Sequence, residues 1–216
     1  MDFALIGRIW PFFAEAAWVT IEVSMLAIIL GLILGFAAAL ASLSRNVLLR
    51  WPARAYVSVF RGTPALIQLF LLYFGGPQIG IHLGPFEAGV IGLGINIGAY
   101  MCETIRGAIL SVDKGQTEAG RCLGLGQAQV MRRVILPQAA RMMVRPLGVN
   151  AIALIKGSAI VSTISVLELS YTAHRYISST YKPFEMFILA SIFYLAIVTV
   201  FSYGVKKIDE RVALES

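Results

Sequence analysis

Residues 20–41 contain one charged side chain, Glu22, among leucines, isoleucines, alanines and glycines. A helix crosses the hydrocarbon core of a bilayer with about 20 mostly apolar residues, so this run is long enough to span. Four more segments have comparable length: 56–75, 88–110, 142–161 and 184–205. The prediction is an all-α integral membrane protein with about five spans, forming a single transmembrane domain over 1–216. Composition agrees: 58% of residues are hydrophobic and 14% charged, where soluble domains carry about a quarter charged residues. No cleavable signal is expected, because the apolar run 21–43 is longer than the roughly 7–15 residues of a signal core. The aromatic residues ahead of it, Trp10, Phe12, Phe13 and Trp18, read as an interfacial belt.

The basic residues set an orientation. Arg45, Arg50 and Arg54 follow the first span. Lys114, Arg121, Arg132, Arg133 and Arg141 lie between the third and fourth, and Lys206, Lys207 and Arg211 follow the fifth. With five spans, all of these fall on one side, and only Arg8, Arg175 and Lys182 fall on the other. Basic loops stay in the cytoplasm, so the N-terminus is predicted outside and the C-terminus inside. The net charge of +6 is thereby explained without nucleic acid.

Between the third and fourth spans the chain turns polar. Residues 115–138 are too polar to cross a bilayer and too rich in helix formers to be a slack loop. The spacing predicts one short helix around Glu118, a break at Gly124 and Gly126, and a second short helix ending before Pro137. Such a pair suits either a helix lying on anionic lipid or a docking knob for a soluble partner.

The spacing of this segment favours the knob. Glu118-Ala119-Gly120, Gly124 six residues after the glutamate, Leu125, and Ile135-Leu136-Pro137 resemble the cytoplasmic Glu-Ala-Ala loop of importer-type ABC transporter permeases, with Gly120 in place of the usual second alanine. The stretches FRGTPALIQLF (60–70), AYMCETIRGAILSVDKGQ (99–116) and ILPQAAR (135–141) are similar to those of the polar amino acid permeases. The resemblance implies a multi-pass permease of the bacterial inner membrane. Glu118, Ala119, Gly120, Gly124, Leu125 and Pro137 would couple it to cytoplasmic ATP-binding subunits, which hold the ATP and Mg. A second permease subunit, an extracytoplasmic solute-binding protein and a small polar amino acid would complete the system. In one place the chain departs: 156–160 reads KGSAI where the family usually has Lys-Asp-Thr-Ser-Leu.

The residues give their own indications of function. The chain contains no Gly-Lys dipeptide, so the phosphate-cradling loop of a nucleotide site is missing and no cofactor is expected on this chain. His82 and His174 lack metal-ligand spacing, and Cys102 and Cys122 read as free thiols. Charge at membrane depth is costly and marks candidates for a solute path. These are Arg61, which either snorkels or lines the path, and Glu103 with Arg106, a pair on one helix face. Lys156 is expected to face a cavity, beside Ser158. Glu168 is expected at the outer end of the fourth span, at the mouth of the path. Asn96 is either interhelical glue or a path residue. Glycines 89, 92, 94 and 98 predict close packing of the third span. Five spans enclose a hydrophilic route poorly, which argues for a dimer. The alternative to an ATP-driven importer is an ATP-independent secondary transporter or channel. No inverted repeat supports it.

Overall fold

The computed structural model describes residues 3–214 as a bundle of helices, with no strand among the described residues. The helices are α1 (Phe3–Leu43), α2 (Val47–Gly62), α3 (Ala65–Phe70), α4 (Pro85–Ser111), α5 (Lys114–Cys122), α6 (Gln127–Val130), α7 (Leu136–Gly157), α8 (Leu169–Thr180) and α9 (Pro183–Leu214). Four stretches are long and apolar enough to cross a membrane. A fifth crossing arises only if a sharply bent pair of helices counts as one span.

Helix α1 starts well before the expected first span. Ile9, Phe13, Ala16 and Ala17 repeat at helical spacing and pack on Leu169, Ala173, Met186 and Leu189 of α8 and α9. The expected aromatic belt is therefore corrected at Phe13. That ring is fully buried, 6.1 Å from Tyr176 and 6.3 Å from Phe193. Trp18 is exposed and donates its indole N–H to Glu22 at 2.7 Å.

The most extensive helix contact joins α1 to α4. A Cβ on Gly35 would stand 2.9 Å from the Gly98 carbonyl oxygen and from Met101 Cβ, and one on Gly98 would stand 3.2 Å from the Gly31 oxygen. Small residues four apart on both helices thus let the two backbones touch. The α4 glycines were anticipated, whereas their partners Gly31 and Gly35 on α1 were not.

The expected second span, 56–75, is not one helix. Helix α2 begins at Val47, capped by Asn46, whose Oδ1 accepts from the Leu48 N–H at 2.9 Å. It ends at Gly62, and the chain then turns by 107° into the segment Ala65–Ile79. The cause is Pro64, which forces the residue before it out of the helical region. Thr63 is accordingly extended, at φ −120° and ψ 149°. The turn frees carbonyls at the end of α2, and side chains occupy them. Gln68 Nε2 donates to Phe60 O at 3.0 Å and to Thr63 O at 3.1 Å. Asn96 Nδ2 donates to Phe60 O at 3.1 Å and to Gln68 Oε1 at 2.9 Å.

Pro137 behaves differently from the expectation that it ends a short helix. Helix α6 continues through a π-helical turn, Met131–Ile135, into α7 and on to Ile164 as one long apolar stretch. Within that turn the Leu136 N–H donates to Met131 O, five residues back. Widening one turn accommodates a residue that brings a ring and no N–H. Beyond α7, the 3₁₀ segment Ser158–Ile164 ends at Ser165 in the left-handed region, and α8 follows, a helix the sequence reading did not anticipate.

Candidate functional site

The polar interruption forms a compact knob. Asp113 Oδ1 accepts from the Gly115 N–H at 2.7 Å and opens α5. Gly124, at φ +78°, reverses the chain, a conformation that costs other residues roughly 1–2 kcal/mol. Gln129 Oε1 then accepts from the Gly126 N–H at 2.9 Å and fixes the start of α6. The underside is buried. A Cβ on Gly120 would stand 2.9 Å from Val130 Cγ2, and Val130 and Ile135 join Ile105 and Ile109 in the core at this end of the bundle. The outer face carries Glu118, Ala119, Arg121 and Gly124, all exposed, with Leu123 81% exposed at the tip. Leu125 is half-buried and packs inward, and Pro137 lies on the surface beyond the π turn.

Two cavities lie along α4. The larger, about 590 Å³, is lined by Ser42, Arg54, Ser58, Arg61, Glu103 and Arg106 among others. Glu103 accepts from Arg106 twice, from Nε at 3.0 Å and from Nη2 at 2.6 Å. Arg61 Nη1 stands 3.8 Å from Glu103 Oε2, and its guanidinium carbon lies 5.4 Å from the centre of the Tyr100 ring. The smaller cavity, about 330 Å³, is lined by Asn96, Tyr100, Asn150, Ala65, Gly157 and Ile160, with further apolar residues. Asn150 was missed, although a polar amide in the middle of a span is the same signal that marked Asn96. It donates to Thr104 Oγ1 at 2.8 Å.

The remaining candidates sit elsewhere. Lys156 is exposed on α7 and lines neither cavity, while its neighbour Gly157 does line the smaller one. Ser158 is fully buried and donates to Ile155 O at 2.8 Å, which turns its hydroxyl onto its own helix. Glu168 follows the end of the fourth span, at Ile164, by four residues. It caps α8, fully buried: Oε1 accepts from the Tyr171 N–H at 2.8 Å and Oε2 from the Tyr194 hydroxyl at 2.7 Å. Burial pushes its carboxyl above the ordinary range, and these hydrogen bonds pull the other way. Asn96 serves as glue at the α2–α3 corner and also faces the smaller cavity. His82 is exposed, and His174 packs edge-on against Phe187 with ring centres 5.5 Å apart.

Residues 27–214, which include the knob, match the family described as the binding-protein-dependent transport system inner membrane component. The chain belongs to that family. The permease is 38% identical over 201 residues to a putative glutamine transport system permease protein of Rickettsia typhi (strain ATCC VR-144 / Wilmington), covering 93% of this chain and 92% of that protein. It is 44% identical over 160 residues to the L-cystine transport system permease protein of Bacillus subtilis (strain 168), covering 74% of this chain and 68% of that one. A crystal structure of an amino acid ABC transporter with histidines superposes with a TM-score of 0.91 at 37% identity, covering 98% and 99% of the two chains. The permease is thus a multi-pass transport subunit of the inner membrane.

Proposed function

We propose that the permease carries a small polar amino acid across the inner membrane, driven by ATP hydrolysis on separate cytoplasmic subunits that hold the nucleotide and Mg. The observation that carries this reading is the knob, whose underside is packed into the bundle while its top, with Glu118, Leu123 and Gly124, is left exposed. Glu118 offers charge and Leu123 an apolar anchor to an ATPase groove, and Gly124 keeps the turn free of a side chain. In this reading the arginine-rich end of the bundle is cytoplasmic and the N-terminus faces out. A second permease subunit, identical or homologous, completes the enclosure, with Lys156 on the surface it covers. A solute-binding protein delivers the amino acid from the other side. The smaller cavity, with its two asparagines and Tyr100, falls within the roughly 300–1,000 Å³ range of small-molecule sites. Relatives named for glutamine and cystine transport support the substrate class.

Co-expression with candidate ATPase subunits, followed by purification through the permease, tests the assembly. An ATPase is expected to co-purify, and its hydrolysis is expected to respond to an amino acid delivered by the binding protein. Gly124→Val meets no atom of this chain within 4 Å of the added Cβ. At φ +78° it strains the turn by roughly 1–2 kcal/mol, but the strain is confined to the exposed tip of the knob, so membrane abundance should stay near normal. The substitution should abolish the stimulated hydrolysis. Transport at a near-normal rate in that variant would sink the docking role.

A further inference from the structure

Only Tyr100 among the residues lining the smaller cavity is titratable, and no carboxylate is present there. A cationic side chain entering it would find no counter-ion, and an unpaired charge out of water is costly. The larger cavity holds three arginines, Arg54, Arg61 and Arg106, against one acid, Glu103. Both oxygens of that acid are already engaged by Arg106. Arg61 is placed differently. At 3.8 Å its contact with Glu103 is longer than a hydrogen bond, and its other contact is the face of Tyr100, which lines the smaller cavity. Its side chain remains 44% exposed. An arginine fork not committed to a carboxylate matches one bidentately.

We propose that Arg61, standing between the two cavities, receives the carboxylate of the passing solute, and that the smaller cavity, which offers no counter-ion, rejects amino acids with cationic side chains in favour of neutral and anionic ones. This rests on the transport reading above and adds a substrate class to it. The two cavities act in sequence. The uncharged one admits the solute without a counter-ion for a basic side chain, and the basic one attracts its carboxylate.

The test uses the permease and its ATPase subunits in nanodiscs, without the solute-binding protein, so that protein's own preference does not enter. Binding is measured for glutamine, glutamate, arginine, lysine and 4-aminobutanamide, which is glutamine without its α-carboxylate. Glutamine should bind about tenfold or more tightly than 4-aminobutanamide, which lacks the carboxylate that Arg61 receives. Glutamine and glutamate should bind more tightly than arginine and lysine, whose basic side chains find no counter-ion in the smaller cavity. Arg61→Gln should erase the preference for glutamine over 4-aminobutanamide, and Arg61→Lys, with thermal unfolding recorded beside it, should restore part of it. Arginine or lysine binding within about twofold of glutamine overturns the selectivity, an unchanged preference for glutamine over 4-aminobutanamide in Arg61→Gln overturns the carboxylate site, and either result leaves the transport reading standing. No binding of any of the amino acids overturns this proposal, while the transport reading stands or falls separately by the co-purification and by hydrolysis stimulated through the binding protein. An Arg61→Gln effect that disappears when anionic lipid is omitted assigns the arginine to lipid headgroups and also overturns the proposal.

Discussion

The sequence points to Glu168 as a charge at the mouth of a path, because an acid near membrane depth is costly and usually has a use. Its use is local. It caps α8 with one oxygen and holds the Tyr194 hydroxyl with the other. Glu168→Ala should remove a cap worth about 0.5–2 kcal/mol and take the shorter partner from the Tyr194 hydroxyl, which keeps the Ser170 hydroxyl at 3.3 Å, at about 0.5–1.5 kcal/mol more. The detergent-solubilised protein should melt several degrees lower, while Glu168→Gln, which keeps an acceptor for the Tyr171 N–H, should stay near wild type. The pH dependence has a definite sign. A carboxyl held above its ordinary range binds its proton more tightly in the fold than in the unfolded chain. Its stabilising effect is full below the unfolded value of about 4.3 and is lost as pH rises through the raised value. The melting temperature of wild type relative to Glu168→Gln should therefore fall with rising pH in that window, and a flat difference would contradict it. The cap on the Tyr171 N–H lies three residues away, but nothing nearby announces the other half of the role, because Tyr194 is 26 positions away.

Pro64 and Pro137 show what was legible at the scale of elements. Both interrupt an apolar stretch and look alike in sequence. At Pro64 the chain turns by 107° because Gln68 and Asn96 satisfy the carbonyls that the turn frees. At Pro137 a π turn absorbs the proline and the helix continues. The difference lies in distant partners, with Asn96 lying 36 positions from Phe60, so local sequence marked the breaks without setting their angles. Helix type and the α4 packing glycines were legible because hydrophobic length and small-residue spacing are local signals. The α1–α4 contact gives the corresponding prediction. Gly35→Val places its Cβ 2.9 Å from backbone and Met101 atoms and should cost about 1–3 kcal/mol by overpacking, read as lower membrane abundance and melting temperature. Gly7→Ala, on the same helix with nothing within 4 Å of the added carbon, should be neutral or slightly stabilising. Equal effects of the two would show that helix propensity, not close packing, governs these glycines.

Across the whole molecule the charges sort by end. Ala39, Val57, Ile109, Val130 and Ile135 share one core, which brings the Arg45–Arg54 region and the arginine-bearing knob to the same end of the bundle. The opposite end is built from the start of α1, α8 and the start of α9, where Arg8, Arg175 and Lys182 lie in sequence. This clustering was legible because basic residues and apolar runs alternate along the chain. The cavities were not, since one forms where α4 meets α1 and α2 and the other where α4 meets α3 and α7. If the arginine-rich end faces the cytoplasm, as the retention of basic loops requires, the natural cysteines report it directly. Cys122 is exposed on the knob, whereas Cys102 is buried in α4. A membrane-impermeant maleimide should leave Cys122 untouched in right-side-out vesicles. It should label Cys122 readily in inverted vesicles stripped of peripheral proteins, where no ATPase covers the knob. Cys122→Ser should abolish that signal. His82→Cys, at an exposed position in the short turn before α4, should show the reverse pattern when introduced into the Cys122→Ser chain. Labelling of Cys122 from the outside would invert the orientation, and with it the assignment of the knob to cytoplasmic ATPase subunits.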